Sequence, residues 1–450
     1  MSELLEVARA LVSRATGAEQ LEAFLTHSRT FSVRVFEGEV DQLSSAEPRG
    51  VGVRIVDDHR VGFAYTTDLT QRGLDDVVER ARANSRYPTR DEAVGLAPGW
   101  SEAPAQVDGL FDEGFSGVRA DEKVAAAIEL DRLTRAADPR IRTVEDAVYT
   151  DSISEVVIAT STGIEGAYTS SDAWCYSVAI ATDGDDTEVG FDFGTGNSLN
   201  ELDIAAIAGS SASKAVEVLG ASKIPSAKMP VVFDPYTAGQ FLGVIASVLT
   251  GEAVQKGRSL FAGRLGDTVA SDRLTLWDDG RIPGAPGSSP WDAEGVPTGR
   301  TEVIRNGVLS SFLYDLTSAR REGRASTGNA TRAGFRSGPG PAPSNLAFDP
   351  TGVTREQLLH SAGRAFLVQD FHGVHSGANP ISGDLSVGAT GKLIDGGDVI
   401  QPVKEVTIAA PMLDILARIE AVADDRRWLP FGGSLGGATM LIAEMTVAGT

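Results

Sequence analysis

Apolar residues along the first half of the chain follow two different periods, which predicts a mixture of helices and strands. Apolar positions at helical spacing, typical of amphipathic helices, occupy residues 4–12, 74–83, 124–137 and 202–219. Patterns typical of strands occupy residues 31–40, 51–55, 61–65, 144–159 and 173–181. The second and third of these strand patterns flank Asp57-Asp58-His59-Arg60. They therefore predict a β-hairpin with one buried face.

Short strand patterns and long loops dominate the second half. Val303-Ile304 and Val308-Leu309 flank Asn306-Gly307, a dipeptide that strongly favours a two-residue hairpin turn. Residues 283–299 and 334–345 are rich in Gly, Pro and Ser. Loops of this length are uncommon in compact domains and are often binding elements. A flexible surface excursion is the alternative interpretation.

A domain boundary is predicted in residues 220–230, where turn-forming residues and two prolines leave little to bury. The predicted fold class is α+β with two domains. Residues 1–222 form an N-terminal mixed α/β-sheet domain. Residues 223–450 form a strand-dominated C-terminal domain.

One helix of the second half has an unusual feature. It is predicted to begin at Asp234-Pro235, an acidic N-cap followed by proline at the first helical position. Its apolar residues continue to Leu249, and Glu252 lies four residues after Val248, so Glu252 is predicted on the buried side. Lys256 follows four residues later and predicts an intrahelical salt bridge of about 0.3–0.5 kcal/mol. A chemical role for this carboxylate is the alternative, because charged side chains are rarely buried.

Several short motifs in the C-terminal half resemble those of a known family. They are Gly251–Lys256, Pro297-Thr298-Gly299, Arg305–Leu309, Ser326-Thr327-Gly328-Asn329 and Ile381–Gly391. In order and spacing they resemble the TldD/PmbA family, also called TldD/TldE, modulator of DNA gyrase or peptidase U62. The resemblance covers nearly the whole chain. It implies that the catalytic member of the family carries His-Glu-x-x-x-His on this helix, where the two histidines and a late cysteine bind zinc and the glutamate is the general base.

This chain departs from that motif at every ligand position. The helix reads Gly251-Glu252-Ala253-Val254-Gln255-Lys256. Glycine has no ligand atom and an ammonium group has no free lone pair. The late cysteine motif corresponds to Phe431–Gly437, which contains no cysteine. The resemblance is therefore to the PmbA/TldE-type subunit, which implies no metal in this chain and leaves Glu252 as a vestigial catalytic candidate.

The resemblance implies a role in a TldD–TldE heterodimeric zinc metallopeptidase that degrades or trims unfolded or modified peptides. The TldD-type paralogue would supply the zinc, and this chain would supply cavity wall and peptide contacts. The expected contact segments are 283–299, 334–345 and 371–384, with His372, His375 and Asp384 as substrate-binding candidates.

Two other classes of function stay open. One is an autonomous metal-dependent hydrolase that uses the loop of Asp370, His372 and His375, since imidazole and carboxylate both bind zinc. The other is a peptide-binding homodimer without chemistry.

Two further motifs have known functional counterparts. Gly432-Gly433-Ser434-Leu435-Gly436 matches the Gly-x-Ser-x-Gly nucleophile elbow, but that fold places a histidine after the serine. No histidine follows His375, so a glycine-rich turn is the favoured interpretation. Phosphate-binding and dinucleotide-binding glycine motifs are absent from the sequence, so no nucleotide cofactor is implied.

Composition excludes or disfavours some of the remaining classes of function. The chain of 450 residues has 62 acidic against 40 basic residues and a net charge of −22, which disfavours nucleic-acid binding. A single cysteine, Cys175, allows no intrachain disulfide and is expected to be buried. The longest apolar run, near residues 241–249, is less than half a membrane span, and no secretory signal is visible. The expected location is the cytoplasm.

Overall fold

The computed structural model describes residues 2–429 and 433–450. Its N-terminal half contains four helices and one antiparallel sheet. The helices are α1 (Glu3–Val12), α2 (Gln71–Asn84), α3 (Ala120–Ala136) and α4 (Ile204–Glu217). The strands are β1 (Gln20–Phe36), β2 (Glu39–Ala46), β3 (Arg49–Asp57), β4 (Arg60–Thr66), β5 (Ile141–Thr160), β6 (Glu165–Asp183) and β7 (Asp186–Gly196). A short 3-10 helix precedes α3, and another precedes α4.

The N-terminal sheet has two faces of different chemistry. Its strand order is β4-β3-β1-β5-β6-β7, with β2 paired to the outer part of β1. All four helices pack on the face that carries apolar side chains such as Leu25, Val33 and Val53. Because successive strand residues point to opposite faces, the other face carries the intervening residues. Those include Thr26, Ser28 and Ser32, and in the described residues none of the helices α1–α4 packs on this face.

The C-terminal half is strand-rich, as predicted. Its strands are β8 (Ala227–Phe233), β9 (Leu276–Asp279), β10 (Arg300–Arg305), β11 (Val308–Leu309), β12 (Ala330–Thr331), β13 (Gly340–Pro341), β14 (Asn345–Phe348), β15 (Arg364–His372), β16 (Ala378–Asn379), β17 (Asp384–Asp395), β18 (Asp398–Pro411), β19 (Ile419–Val422), β20 (Arg427–Leu429), β21 (Ser434–Gly437) and β22 (Met440–Ala448). Its helices are α5 (Pro235–Ala246), α6 (Gly251–Gln255), α7 (Leu316–Arg321), α8 (Arg355–Ser361), α9 (Val374–Gly377) and α10 (Met412–Ala417).

Two larger sheets organise this half. One has the strand order β11-β10-β9-β14-β21-β20. The other follows β15-β8-β22-β18-β17-β16, and a further pairing of β15 with β17 closes it on itself. Helix α5 contributes Phe241, Leu242 and Ile245 to the hydrophobic core between the sheets. The predicted hairpin at Asn306-Gly307 joins β10 to β11, and both turn residues have positive φ angles, 47° and 80°.

The prediction of one long helix through Glu252 is wrong. Helix α5 ends at Ala246, and a separate helix α6 begins after Thr250, whose side chain accepts the N–H of Ala253 as an N-cap. Val248 and Leu249 are buried, but they lie in the connection between the helices. The apolar pattern therefore continued where the helix did not. Glu252 is consequently not inward-facing, since its side chain is 43% exposed.

Over residues 2–429 and 433–450, none of the helices combines the length and apolar character needed to span a membrane.

Candidate functional site

A cavity of about 700 Å³ lies between loops of the C-terminal half and the face of the N-terminal sheet that is opposite helices α1–α4. Its floor is built from β1, β5 and β6, where Thr26 pairs with Val156 and Ser28 with Ser154. The hydroxyl of Ser154 donates to that of Ser28 at 2.9 Å. Small polar side chains on this part of the floor leave the space above it empty. Another part of this face is covered by a 3-10 helix at Gly334–Arg336, whose Phe335 packs against Gly50.

The predicted binding loop 283–299 forms much of the opposite wall. Asp292 gives the loop its shape, because its carboxylate accepts the N–H groups of Glu294 at 2.8 Å, Val296 at 2.9 Å and Ala330 at 3.0 Å. Burial, together with the charge of Glu294, raises the pKa of Asp292 to about 7. Thus one side chain fixes both the loop and the start of β12.

A second buried carboxylate holds the other predicted loop. Asp278 on β9 accepts the N–H of Ser344 at 2.8 Å and the side-chain amide of Asn329 at 2.6 Å. Burial raises the pKa of Asp278 to about 7. Gly334, Pro343 and Ser344, from the loop 334–345, line the cavity.

Four buried charges join the two halves of the chain beside the cavity. Arg54 on β3 donates to Glu22 on β1 at 2.6 Å and to Glu294 at 2.9 Å. Arg332 forms an ion pair with Glu22 and donates to the carbonyl of Ala293 at 3.0 Å. Burial opposes the charge on Arg54, but the two carboxylates raise its pKa. Sequence reasoning missed this group because its members are up to 310 residues apart. The available signal was a charged residue within each of two apolar strands.

The cavity wall also contains acidic and aromatic side chains. Asp172 and Trp174 lie on β6, and Glu201 follows β7. The Asp172 side chain keeps an exposed surface. The protein around it, with the nearby charge of Asp151, raises its pKa to about 6. Glu201 accepts the N–H of Asn197 at 2.8 Å.

The helix that resembles the zinc-binding motif does not line this cavity. Glu252 instead forms the predicted salt bridge with Lys256, with Oε1 and Nζ 2.7 Å apart. Both side chains are about half exposed. The predicted ion pair is therefore confirmed, and it sits on the surface.

The residues of this helix do not fit a zinc ion. Gly251 packs against Tyr314 so closely that an added Cβ would lie 2.3 Å from Cε1 of the ring. Tyr314 is 1% exposed, and its hydroxyl donates to Glu322 at 2.7 Å. Glu322 also accepts the side-chain amide of Gln255 at 3.0 Å. Tyr314 thus fills the space that a side chain at position 251 would need.

The histidine loop lies elsewhere, at one end of the closed sheet. His372 ends β15, with Nε2 2.9 Å from the hydroxyl of Thr390 and Nδ1 3.9 Å from Asp370. His375 lies in α9, and Asp384 begins β17, where it accepts the hydroxyl of Ser382 at 2.7 Å. Among residues 2–429 and 433–450, no three His, Cys, Asp or Glu side chains are placed to hold one metal ion. Roles for His372, His375 and Asp384 in substrate binding stay predictions.

The serine motif is not a strand-to-helix elbow. Ser434 begins strand β21, whose next element is strand β22, while Gly432 of the motif lies outside the described residues. Cys175 is buried as expected, at 1% exposure, and burial with the charge of Asp192 raises its pKa to about 12.

Comparison with known proteins identifies the protein family. Three family models match the chain, namely PmbA/TldA metallopeptidase domain 1 over residues 21–85, the central domain over 113–219 and the C-terminal domain over 226–449. The chain is 26% identical over 445 residues to metalloprotease PmbA of Escherichia coli O157:H7, covering 98% of this chain and 95% of that protein. It is 27% identical over 412 residues to a metalloprotease of Methanothermobacter thermautotrophicus, covering 89% and 87%.

Solved structures of similar proteins share the fold of this chain. A Thermotoga maritima protein described as a modulator of a DNA gyrase superposes with a TM-score of 0.90 at 26% identity, covering 99% of this chain and 100% of that one. TldE from Thermococcus kodakarensis superposes with a TM-score of 0.88 at 22% identity and 99% coverage of both chains, a likeness of fold. The chain belongs to the PmbA/TldD metallopeptidase family.

Proposed function

We propose that this chain is the PmbA/TldE-type subunit of a cytoplasmic TldD–TldE heterodimer that cleaves unfolded or modified peptides. Zinc would be held by the TldD-type partner. The observation that carries the proposal is the close packing of Gly251 against Tyr314. It leaves no room for a ligand side chain at the position that corresponds to a zinc-binding histidine in the family's catalytic member. The ammonium of Lys256, already paired with Glu252, occupies the second ligand position. A subunit that keeps the family fold without these ligands suits a supporting role.

In this proposal the chain contributes walls and peptide contacts. The interdomain cavity supports that role, because two loops rich in Gly, Pro and Ser are held rigidly around it by Asp278 and Asp292. Rigid loops lose little entropy when a ligand binds. The chain's net charge of −22 supports a partner other than nucleic acid.

Co-expression with a His-Glu-x-x-x-His paralogue tests the proposal. We expect a one-to-one complex in size-exclusion chromatography, peptidase activity in the complex alone, and zinc in the partner alone. Replacing the partner's histidines should abolish hydrolysis, whereas Glu252→Gln in this chain should leave it intact.

The same experiment separates the alternatives. Stoichiometric metal and hydrolysis in the purified lone chain, both lost in a His372→Ala and His375→Ala variant, would identify the autonomous hydrolase instead. A stable self-pair that ignores the paralogue would identify the peptide-binding homodimer.

A further inference from the structure

One end of the interdomain cavity continues onto a face of the sheet that contains β9, β14, β21 and β20. Trp277 on β9 pairs with Ala347 on β14. Gly436 on β21 pairs with Ala347 on one side and with Trp428 on β20 on the other. Residues paired in this way point to the same face of a sheet. Trp428 lines the cavity, so this row of residues begins in the cavity wall.

The side chain of Arg426 lies over this row, above Gly436. A Cβ added to Gly436 would lie 2.8 Å from Cδ of Arg426 and 2.8 Å from Cζ3 of Trp428. The guanidinium carbon lies 5.1 Å from the ring centroid of Trp277 and 5.5 Å from that of Trp428. Trp277 is 3% exposed, so its ring has little room to move. The two indoles therefore fix the position of a cationic group whose N–H donors lie in its own plane.

Arg426 has no carboxylate partner. Across residues 2–429 and 433–450, its guanidinium makes neither a hydrogen bond nor an ion pair. The nearby carboxylate of Asp349 already accepts the indole N–H of Trp277 at 2.6 Å and a guanidinium N–H of Arg300 at 3.2 Å. Burial, with the like charge of Arg300, lowers the pKa of Arg426. An anion beside the guanidinium would offset both effects.

The N–H donors of Arg426 are also accessible. The residue is half-buried, and its nitrogen atoms are not among the fully buried polar atoms that lack a partner. Arg332 in the cavity wall differs, because it is paired with Glu22 and its remaining nitrogen, Nη1, is fully buried. Of these two arginines, Arg426 is therefore the one that a ligand can reach.

We propose that Arg426 binds a carboxylate of a peptide held in the interdomain cavity, with Trp277 and Trp428 fixing the plane of its guanidinium. The carboxylate is the C-terminus of the peptide or an acidic side chain, which share this chemistry. The planar fork of an arginine matches both oxygens of such a group.

The position of Arg426 allows this contact. Gly436, beneath its side chain, follows Ser434 of the cavity wall by two positions on β21, about 7 Å along the strand. A peptide that fills this end of the cavity therefore comes within reach of a long side chain. The inference rests on the proposed function in that the ligand is taken to be a peptide.

The test uses the full-length chain alone, without the paralogue, and follows tryptophan fluorescence and calorimetric heat. The probes are an acetylated Gly-Ala hexapeptide with a free C-terminus, the same peptide as its C-terminal amide, and versions of the amide with one central glutamate or glutamine. We expect the free acid to bind at least about tenfold more tightly than the amide at pH 7.5, the effect of one hydrogen bond between charged groups. Tighter binding of the glutamate peptide than of the glutamine peptide would identify the side-chain carboxylate as a ligand too, and equal binding of those two would restrict the site to C-termini.

Arg426→Gln should abolish the preference for the free acid. Arg426→Lys keeps the charge without the planar fork and should keep only part of the preference. Arg86→Gln is the matched control and should change nothing, because Arg86 is exposed and follows α2, which packs on the other face of the N-terminal sheet from the cavity. Each preference compares two peptides on one variant. A purely structural role of Arg426 would weaken both peptides alike and leave their ratio unchanged.

Three results would each overturn the proposal. They are equal affinity of the wild type for acid and amide, no saturable binding of any of the peptides, and a preference that survives in Arg426→Gln or stays complete in Arg426→Lys. No hydrolysis is measured and no paralogue is present. These outcomes are therefore independent of whether co-expression yields an active heterodimer.

Discussion

The Gly251→Ala variant tests whether Tyr314 leaves no room for a side chain at position 251. The new methyl group would lie 2.3 Å from Cε1 and 2.4 Å from Cδ1 of Tyr314, whereas carbon atoms in contact sit about 3.5–4.0 Å apart. The ring is 1% exposed, and its hydroxyl is tied to Glu322, so it has little room to move. Overpacking of this kind costs about 1–3 kcal/mol. The helix preference of alanine over glycine returns about 0.5–1 kcal/mol.

The chain provides a matched control for this substitution. Gly209 lies inside α4 with nothing within 4 Å of an added Cβ, so Gly209→Ala should stabilise by about 0.5–1 kcal/mol. Urea unfolding followed by circular dichroism should place the two variants about 1–3 kcal/mol apart, which is the overpacking cost alone. In a Tyr314→Ala background the penalty of Gly251→Ala should vanish. Equal stability of the two single variants would refute the proposed occlusion.

Three further predictions concern the charged groups. Glu294→Ala leaves Arg54 with a buried charge only partly compensated and should lower the free energy of unfolding by about 3–5 kcal/mol in urea titration; a loss below about 1 kcal/mol would contradict the buried network. The pKa of Asp278 is raised from 3.8 to about 7, so the stability it contributes is fully present below pH 4 and is lost as the pH rises through 7. Thermal unfolding between pH 4 and 8 should show a smaller decline for Asp278→Asn than for the wild type, and identical slopes would argue against this assignment. Glu252→Gln should cost no more than about 0.5 kcal/mol, with the cost disappearing in 1 M salt because the pair with Lys256 is exposed; a larger, salt-insensitive loss would show that the carboxylate does more than pair on the surface.

Local sequence patterns predicted the structure correctly where interactions between residues close in sequence determine it. The hairpin at Asn306-Gly307 was predicted because few residues other than Asn and Gly accept positive φ angles, and both residues adopt them. The surface pair of Glu252 and Lys256 followed from i, i+4 spacing alone. The start of α5 at Pro235 followed from its Asp234 cap, whose side chain accepts the N–H of Thr237 at 2.9 Å.

The same patterns were not sufficient where contacts with distant segments determine the structure. Val248 and Leu249 continue the apolar spacing of α5 although they lie beyond its last residue. They are buried in the connection to α6, and a buried connection also needs apolar residues. The segments 283–299, 334–345 and 371–384 were expected to contact peptide, but the sequence did not determine which of them lie together. In the described residues the first two line one cavity, and a peptide contact by 371–384 stays a prediction.

The sequence by itself determined the family resemblance, the strand-rich second half and the departure from the family's zinc-binding motif, because each depends on residue type and spacing. Only the tertiary structure decided that Tyr314 fills the space beside Gly251 and that Glu22, Arg54, Glu294 and Arg332 meet. These contacts join residues far apart in the chain. Their energies come from packing and burial, which exist only once the two halves have come together.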